Sequence, residues 1–263
     1  MNNYIHGKVY FISDLHLGAG YISNAREHER KAVDFLDSIA CDARELYLLG
    51  DILDYWFEYK TVVPRGYVRF FGALARLADS GVKIYWYTGN HDIWLFDYLR
   101  DEIGIEIVDP QGGGDFRNIM NTLFFLGHGD GMGKQPFSFK ILRYFFRNKF
   151  CQKLYSGIHP RWTVGFAHAW SSRSRKGHKT SPTGLDGKSR ANLETFARRL
   201  SNENPDLTYI ILGHHHVELA EPVGNNCSMI ILGDWIDKFT YAVFDGAEIK
   251  LMQYNSHESK LKQ

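Results

Sequence analysis

The sequence predicts an α/β protein, and three observations support this fold class. Strand-like and helix-like stretches alternate three times through about residue 103. The chain is then strand-rich from Ile105 to His128, and a further helix is predicted from Gly187 to Leu200. Four later apolar runs suggest a closing sheet, near residues 207–213, 217–222, 228–233 and 239–244.

Length and composition limit the possible classes of protein. The 263 residues, 44% of them hydrophobic, are enough for one substantial domain that buries roughly three quarters of its unfolded surface. A formal net charge of +1 provides no general attraction to nucleic acid, so no nucleic-acid partner is expected. The three cysteines match neither a disulfide framework nor a zinc pattern. Nothing in the sequence indicates an oligomeric state.

The compartment is predicted from the same features. The first seven residues lack the apolar stretch of a signal peptide, and no window reaches the length of a membrane span. The cysteine pattern favours a reducing compartment. We therefore expect a cytoplasmic protein that reaches any lipid from the cytoplasmic side.

Five short polar segments carry side chains that bind metal ions. They are Asp14-Leu15-His16, Gly50-Asp51, Gly89-Asn90-His91-Asp92, Gly127-His128-Gly129-Asp130 and Gly213-His214-His215-His216. Three of the five segments directly follow apolar strand-like runs, which would place their polar groups at strand ends. Because ligands at strand ends converge on one cleft, the sequence predicts one shared site.

Carboxylates and imidazoles are suitable ligands for Mn, Fe and Zn, and a shared carboxylate can hold two ions roughly 3.5 to 4 Å apart. Asp51 has the short charged side chain expected of the shared ligand. Asp14, His16 and one C-terminal histidine would complete the first ion. Asn90, His128 and another C-terminal histidine would complete the second.

The run of three histidines contains two further candidate ligands. If the segment is extended, alternation puts His214 and His216 on one side and His215 on the other, which favours His214 and His216 as ligands. A surface tract that scavenges metal is the alternative. The position of the run directly after an apolar strand favours the site.

Each segment alone also has a structural interpretation. Asp-x-His and Gly-Asp often occur as turn or capping residues. The tetrapeptide at residues 89–92 could form a strand-to-helix turn, with Asn90 or Asp92 capping a helix that begins near Ile93. The presence of all five segments in one chain favours the joint metal site.

The ordered set of segments resembles the calcineurin-like metallophosphoesterase superfamily, from about Lys8 to Tyr254. The resemblance implies a four-layer fold in which two facing mixed β-sheets are flanked by helices. It also implies two divalent metal ions, with Mn favoured and Fe or Zn as alternatives. Residues 1–130 and 186–263 would form the catalytic domain, and residues 131–185 a helical insert that serves as a lid within it.

Four features are similar to the UDP-2,3-diacylglucosamine hydrolases of lipid A synthesis. They are the segment from Gly50 to Trp56, the His128-Gly129-Asp130 turn, the long insert after it, and the segment from Leu232 to Trp235. Those enzymes split a nucleotide-diphosphate lipid into UMP and a lipid phosphate, and the resemblance implies the same reaction here. The alternative is a related metallophosphoesterase that acts on another phosphodiester, nucleotide or phospholipid.

Two departures from that family concern substrate recognition. In its best-known branch, arginine usually follows the Gly-Asn pair, whereas His91 follows it here, as in the wider superfamily. The family also has an acidic residue shortly after the His-Gly-Asp turn, and no carboxylate lies between Gly131 and Tyr155. The superfamily uses the histidine to stabilise the transition state or protonate the leaving oxygen, with the next residue orienting it. The resemblance therefore implies catalytic roles for His91 and Asp92.

The insert begins with a predicted basic amphipathic helix over residues 136–150, with Lys140, Arg143, Arg147 and Lys149 among bulky apolar groups. Such a helix would contact the inner membrane, and the resemblance implies that the insert holds acyl chains. Alternatively, its aromatic face packs on the domain and its basic residues are solvated. If the apolar face binds lipid, replacing Phe145 and Phe146 with serine should weaken use of the lipid substrate.

A second part of the insert combines hydroxyl groups with cations, as a site that clamps a diphosphate would. By analogy with the family, its candidate substrate-binding residues are Ser171, Ser172, Arg173, Arg175 and Lys176. A solvated basic loop is the simpler interpretation of the same residues.

Overall fold

The computed structural model describes residues 7–110, 113–133, 137–163, 165, 185, 187–224 and 226–255. In this part of the chain, two mixed β-sheets lie between helices. The first sheet has the strand order β11-β10-β1-β2-β3-β4. Its strands are β1 (Lys8–Ile12), β2 (Ala43–Leu49), β3 (Lys83–Tyr87), β4 (Glu106–Val108), β10 (Thr240–Phe244) and β11 (Ile249–Gln253).

The first four of these strands are parallel, and β10 runs antiparallel to both β1 and β11. The second sheet has the order β5-β6-β7-β9-β8, with a parallel centre of β6, β7 and β9 and antiparallel edges. Its strands are β5 (Gly114–Ile119), β6 (Thr122–Gly127), β7 (Leu207–Leu212), β8 (Glu218–Pro222) and β9 (Ser228–Leu232).

Six helices are named in the described residues. They are α1 (Ala25–Ile39), α2 (Val68–Asp79), α3 (Tyr98–Ile103), α4 (Phe137–Arg147), α5 (Lys149–Ser156) and α6 (Gly187–Glu203). None of the helices in these ranges is both long enough and apolar enough to cross a bilayer.

The inner faces of the two sheets pack against each other. Alternation along β1 directs Phe11 inward, where its ring lies 5.1 Å from that of Tyr47 on β2 and 5.8 Å from that of Phe124 on β6. The outer face of the first sheet packs on α1 and α2, and that of the second on α6. This four-layer arrangement of two mixed sheets between helices confirms the predicted fold.

The predicted order of elements is observed, and one strand was not predicted. β11 has no fully buried residue, so its apolar signal is weak. The structural interpretation of residues 89–92 as the cap of a helix near Ile93 is wrong, because α3 begins at Tyr98. The amides at its start donate to Glu58, whose carboxylate lies within 2.8 to 3.2 Å of three of them.

The predicted helix over residues 136–150 is two helices. Asn148 ends the first and caps the second, since its side chain accepts hydrogen bonds from the amides of Phe150 and Cys151. Arg143 faces the domain and donates to the carbonyl oxygen of Asp130 at 2.7 Å.

The alternative in which the aromatic face of this helix packs on the domain does not match the described residues of α4. Arg147 pairs with Asp109 and is mostly buried, whereas Tyr144 and Phe145 are 66% and 52% exposed. Phe146 is half-buried, with its ring 5.2 Å from that of Trp94. The described part of α4 therefore turns cations inward and most of its aromatic groups outward, the reverse of a packed aromatic face with solvated cations.

Candidate metal centre

The predicted ligands lie at the carboxyl ends of parallel strands. Asp14 and Asp51 each lie two residues after a strand, β1 and β2, and Asn90 lies three residues after β3. In the second sheet, His128 directly follows β6 and His214 lies two residues after β7. The amide of His214 donates to Oδ2 of Asp14 at 2.8 Å, and this hydrogen bond joins the two sheets at the site.

Backbone strain is concentrated in these segments. Nine non-glycine residues in the described ranges have positive φ, and five of them are predicted ligands: Asp14 (55°), His16 (47°), Asp51 (53°), His214 (67°) and His216 (51°). Such conformations are uncommon outside glycine and persist only where surrounding contacts hold them. Here, for example, the amides of Asp14 and His16 donate to the carbonyl oxygens of Gly50 and Asp51.

Asp51 is at the centre of the cluster. Its Oδ2 lies 3.3 Å from Nε2 of His128, 3.7 Å from Nε2 of His16 and 4.0 Å from Nε2 of His91. Its Oδ1 accepts a hydrogen bond from the amide of His91 at 2.8 Å. One oxygen thus faces three imidazoles, as a carboxylate shared by two ions would.

Two groups of candidate ligands flank this carboxylate. On one side, Oδ1 of Asp14 lies 3.4 Å from Nε2 of His216 and 3.9 Å from Nε2 of His16. On the other side, Nε2 of His128 lies 3.2 Å from Oδ1 of Asn90 and 3.3 Å from Nδ1 of His214. The structure therefore brings together all seven side chains that the sequence predicts as metal ligands.

The residues fit divalent cations. The potential ligand atoms of Asp14, His16 and His216 lie within 4.8 Å of one another, as do those of Asp51, His128 and His214. Oδ1 of Asp14 is buried and accepts no hydrogen bond from the described residues. Nitrogen and oxygen donors of this kind suit Mn, Fe and Zn, and a cation would satisfy the buried oxygen.

Burial and neighbouring charges shift the pKa values of the candidate ligands in opposite directions. Burial raises the pKa of Asp14 to about 7. Burial alone would lower the pKa of His128, but the adjacent Asp51 outweighs it and raises that pKa. Burial, together with the charge on His128, lowers the pKa of His214. A cation bound between the imidazoles of His128 and His214 would replace the proton that the raised pKa retains on His128.

The comparisons with known proteins agree with this geometry. The family model described as calcineurin-like phosphoesterase matches residues 7–218. The chain belongs to this family. The chain is 38% identical over 255 residues to a UDP-2,3-diacylglucosamine hydrolase from Porphyromonas gingivalis, covering 93% of this chain and 96% of the relative.

Two further proteins similar to this phosphoesterase extend the comparison. A UDP-2,3-diacylglucosamine hydrolase from Nitrosococcus oceani is 28% identical over 229 residues, covering 86% of each chain. A solved archaeal phosphodiesterase is 14% identical, with a TM-score of 0.45 over 94% of this chain and 99% of that one.

Three of the candidate ligand imidazoles have an oxygen acceptor beside Nδ1. Nδ1 of His128 lies 2.9 Å from the carbonyl oxygen of Leu49, and Nδ1 of His216 lies 3.8 Å from Oδ2 of Asp234. Nδ1 of His16 lies 3.3 Å from Oδ1 of Asp54. Because a carbonyl oxygen only accepts, a neutral His128 carries its proton on Nδ1 and presents the lone pair of Nε2 to a ligand.

Sequence reasoning assigned no role to Asp54 or Asp234. Both lie in segments that resemble the family, but each meets its histidine only after the chain folds. Asp54 contacts His16, which is 38 residues away. The only signal available in the sequence was the presence of a carboxylate beside a motif, and carboxylates of that kind are common.

Asp92 is placed differently from the expectation that it orients His91. Its carboxylate accepts hydrogen bonds from the amides of Gly89, Asp51, Ile52 and Leu53 and from the indole N–H of Trp86. Nδ1 of His91 instead lies 3.0 Å from the carbonyl oxygen of Asp54. Asp92 therefore holds the loop that carries Asp51 through backbone hydrogen bonds.

The argument that selected His214 and His216 requires correction, although both side chains reach the cluster. The segment after β7 is bent rather than extended, and both residues have positive φ. These dihedral angles, and not strand alternation, direct both rings to one side. The candidate substrate-binding residues Ser171, Ser172, Arg173, Arg175 and Lys176 lie outside the described residues.

Proposed function

We propose that this phosphoesterase hydrolyses the diphosphate bond of UDP-2,3-diacylglucosamine, giving UMP and 2,3-diacylglucosamine 1-phosphate in lipid A synthesis. The observation that carries the chemistry is that Asp51 clusters with His16 and His91 on one side and with His128 and His214 on the other. Asp14 and His216 form a further group with the same His16. The substrate is supported by the relatives named UDP-2,3-diacylglucosamine hydrolase, one of which matches 93% of this chain.

The proposed ligands divide into two sets that share Asp51. Asp14, His16 and His216 would hold one ion. The second would be held by His128 and His214, with Asn90 beside them. When bound, the two ions would lower the pKa of water and offset negative charge on the phosphoryl oxygens. We propose Mn for both because several ligands are oxygen donors, with Fe and Zn as alternatives.

His91 is the proposed proton donor to the leaving oxygen. Its Nε2 faces the same space as the proposed ligands, 4.0 Å from Oδ2 of Asp51, and its side chain is 18% exposed. Burial alone would lower the pKa of His91, but the charges of Asp51 and Asp54 outweigh it and raise that pKa. A raised pKa increases the share of the imidazolium form, which can donate a proton.

A lipid substrate is further supported by an exposed apolar surface on the helices that come after His128 in the chain. Nine of the fourteen large apolar side chains that are exposed in the described residues lie between Phe137 and Trp162. The exposed cations Lys149, Lys153 and Arg161 lie in the same stretch. We propose that this surface contacts acyl chains and the cytoplasmic face of the inner membrane, since apolar groups beside cations suit an anionic lipid interface.

Product analysis tests the proposed reaction. The purified protein is incubated with manganese and UDP-2,3-diacylglucosamine, and phosphorus NMR follows the signals of the diphosphate and of the products. We expect UMP and the lipid phosphate, with no turnover by Asp51→Ala. Hydrolysis of bis-p-nitrophenyl phosphate without any turnover of the lipid would keep the chemistry and reject this substrate. That outcome would favour the wider superfamily, whose histidine after the Gly-Asn pair this chain shares.

The lipid surface has a separate test. Phe146 packs on Trp94, so replacing it would also disturb the docking of α4, and Phe145 is the cleaner position. Phe145→Ser should reduce sedimentation with vesicles of phosphatidylethanolamine and phosphatidylglycerol and weaken lipid hydrolysis, while hydrolysis of the small diester is unchanged. Val68→Ser, at a position 77% exposed on α2, is the matched control. Equal losses on both substrates would reject the lipid surface.

A further inference from the structure

The helix α4 lies against the loops that carry one of the two proposed sets of metal ligands. Three of its residues, Arg143, Phe146 and Arg147, share one face because they are three and four positions apart in the helix. We propose that Arg143 and Arg147 are positioning residues that hold the loops of His128 and Asn90 in place for the second ion. The proposal rests on the two-metal part of the proposed function and does not depend on the identity of the substrate.

Arg143 is attached to the loop of His128. Its Nη1 donates to the carbonyl oxygen of Asp130 at 2.7 Å and lies 3.3 Å from Oδ2 of the same residue. Asp130 is 3% exposed, and the glycines on both sides of it have positive φ. Because glycine gives a turn little conformational preference of its own, a contact that fixes Asp130 also fixes the backbone two residues after His128.

Arg147 reaches the loop of Asn90 through one intermediate residue. It forms an ion pair with Oδ1 of Asp109, which directly follows β4. The same Oδ1 accepts a hydrogen bond from the hydroxyl group of Thr88 at 2.9 Å. Thr88 is 2% exposed, lies directly after β3 and precedes Gly89 and Asn90. A single carboxylate oxygen thus joins α4 to the start of the ligand loop.

A third contact holds the same loop from its other end. The indole N–H of Trp94 donates to the carbonyl oxygen of Phe146 at 2.8 Å, and the two rings are 5.2 Å apart. This carbonyl oxygen belongs to the last turn of α4, where backbone acceptors have no partner within the helix. Trp94 lies four residues after Asn90, so α4 contacts the chain on both sides of residues 89–92.

The burial of the arginines distinguishes these contacts from ordinary surface ion pairs. The side chains of Arg143 and Asp130 are 17% and 4% exposed in their pair, and that of Arg147 is 12% exposed. By contrast, Arg76 pairs with Asp37 where both side chains are more than half exposed. An exposed pair contributes little, whereas removing one partner of a shielded pair leaves the other charge without compensation.

The contacts are confined to one of the two ligand sets. Oδ1 of Asn90 lies 3.2 Å from Nε2 of His128, so the two loops that α4 holds meet at the second ion. Among the described residues, no hydrogen bond or ion pair of the two arginines reaches the set formed by Asp14, His16 and His216. Loss of either arginine should therefore weaken the second ion and spare the first, whereas a general loss of structure would weaken both.

The first test uses the wild-type chain without substrate. If α4 raises the affinity for the second ion, binding of that ion must stabilise the docking of α4 by the same factor. Hydrogen exchange read by mass spectrometry compares peptides of α4 with and without manganese, at labelling times too short for global unfolding. We expect exchange to be about tenfold slower when both ions are bound, the lower end of the usual effect of an outer-shell partner. Equal exchange of α4 in the two states would overturn the proposal, even if every arginine variant failed to fold.

The second test measures the two dissociation constants for manganese by competition with a chelator. Arg143→Met and Arg147→Met each keep an apolar stem and remove the ion pair, so each should weaken one ion about tenfold and leave the other unchanged. Arg143→Lys keeps the positive charge beside Asp130, and its loss should be smaller. Thr88→Val removes the hydroxyl link from the side of the loop without touching α4, and it should weaken the same ion.

Two further variants serve as controls for this measurement. Arg76→Met also removes an ion pair between a helix and an aspartate, but at an exposed position on α2, and both constants should match those of the wild type. His128→Ala removes a ligand of the second set and so identifies the affected ion. Adding Arg143→Met to His128→Ala should not weaken the remaining ion further.

Wild-type values of both constants in folded Arg143→Met and Arg147→Met would contradict the positioning role. Equal weakening of both ions would contradict it as well, because a general structural role predicts that result. The number of ions bound by the wild-type chain separates this inference from the proposed function. Fewer than two ions would reject the two-metal site itself, whereas two ions with unchanged constants in the variants would reject only the role of α4.

Discussion

The carboxylate of Asp92 accepts a hydrogen bond from the amide of Asp51 at 3.2 Å. This contact fixes the backbone that carries the central candidate ligand, whose φ of 53° is strained for a residue with a side chain. Four further N–H donors reach the same carboxylate. Asp92 therefore acts through the loop geometry and does not need to touch the reacting atoms.

Asp92→Asn should destabilise the metal-free protein by about 3 kcal/mol, because an amide nitrogen would then face backbone N–H donors. The measurement is urea unfolding with a chelator present. Asp79→Asn, at an exposed position at the end of α2, is the control and should change little. Wild-type stability in Asp92→Asn would contradict the role of Asp92 in holding the Asp51 loop. It would favour the earlier expectation that Asp92 orients His91.

Gly89→Ala tests how closely the β3 loop approaches the shared ligand. A Cβ atom at Gly89 would lie 2.2 Å from Oδ1 and 2.4 Å from the amide nitrogen of Asp51. Asp51 must then move, so we expect loss of manganese binding and a stability loss of about 1–3 kcal/mol. Gly72→Ala within α2 has space and should stabilise the fold by about 0.5–1 kcal/mol. Normal manganese affinity in Gly89→Ala would show that the loops are looser than this geometry implies.

His91→Ala should separate chemistry from metal binding. Since His91 is assigned to proton donation and not to ligation, the variant should hold as much manganese as the wild type. Its kcat should fall about 100 to 10,000-fold, the usual contribution of a general acid. Metal content by mass spectrometry and UMP release together check this. Loss of one ion in the variant would instead make His91 a ligand.

His28, which is not a candidate ligand, predicts a pH dependence of stability. Its Nε2 donates to the carbonyl oxygen of Trp235 at 2.7 Å, and burial, with Lys31 adding to it, lowers its pKa from 6.5 despite the opposing charge of Asp234. The unfolded chain then binds a proton that the native chain excludes, so stability is lost as pH falls below about 6.5.

His28→Gln keeps a side-chain N–H donor for Trp235 and removes this titration. Its free energy of unfolding in urea, without metal, should therefore fall less between pH 7.5 and pH 5.5 than that of the wild type. The other histidines are common to both chains and cancel in the difference. Parallel pH dependence in the two proteins would mean that His28 does not contribute.

Much of the fold follows from local pattern. The strands β1, β2 and β7 are long apolar runs, and the predicted ligands directly follow them, so the sequence places these residues at strand ends. The start of α3 could not be predicted in this way. Its amides are capped by Glu58, 38 residues before Phe96 in the chain, and a contact at that distance leaves no trace in a local pattern.

The supporting residues of the site were missed for the same reason. The ligand types and their order predict a metal centre, but the Nδ1 partner of each ring depends on how the two sheets and their loops pack. The bend that turns His214 and His216 to one side is likewise a matter of dihedral angles that residue types alone do not specify. The identity of the metal ligands is therefore easier to predict from the sequence than the residues that hold them in place.

The count of bound manganese tests the central claim most directly. The purified wild-type chain is loaded with manganese, desalted and analysed by plasma mass spectrometry, with Asp51→Ala treated in the same way. The two sets of ligands around Asp51 predict two ions per wild-type chain, and at most one in Asp51→Ala, with no phosphodiester hydrolysis. One ion or none in the active wild-type protein, or two ions and full activity in Asp51→Ala, would contradict a two-metal centre built on Asp51.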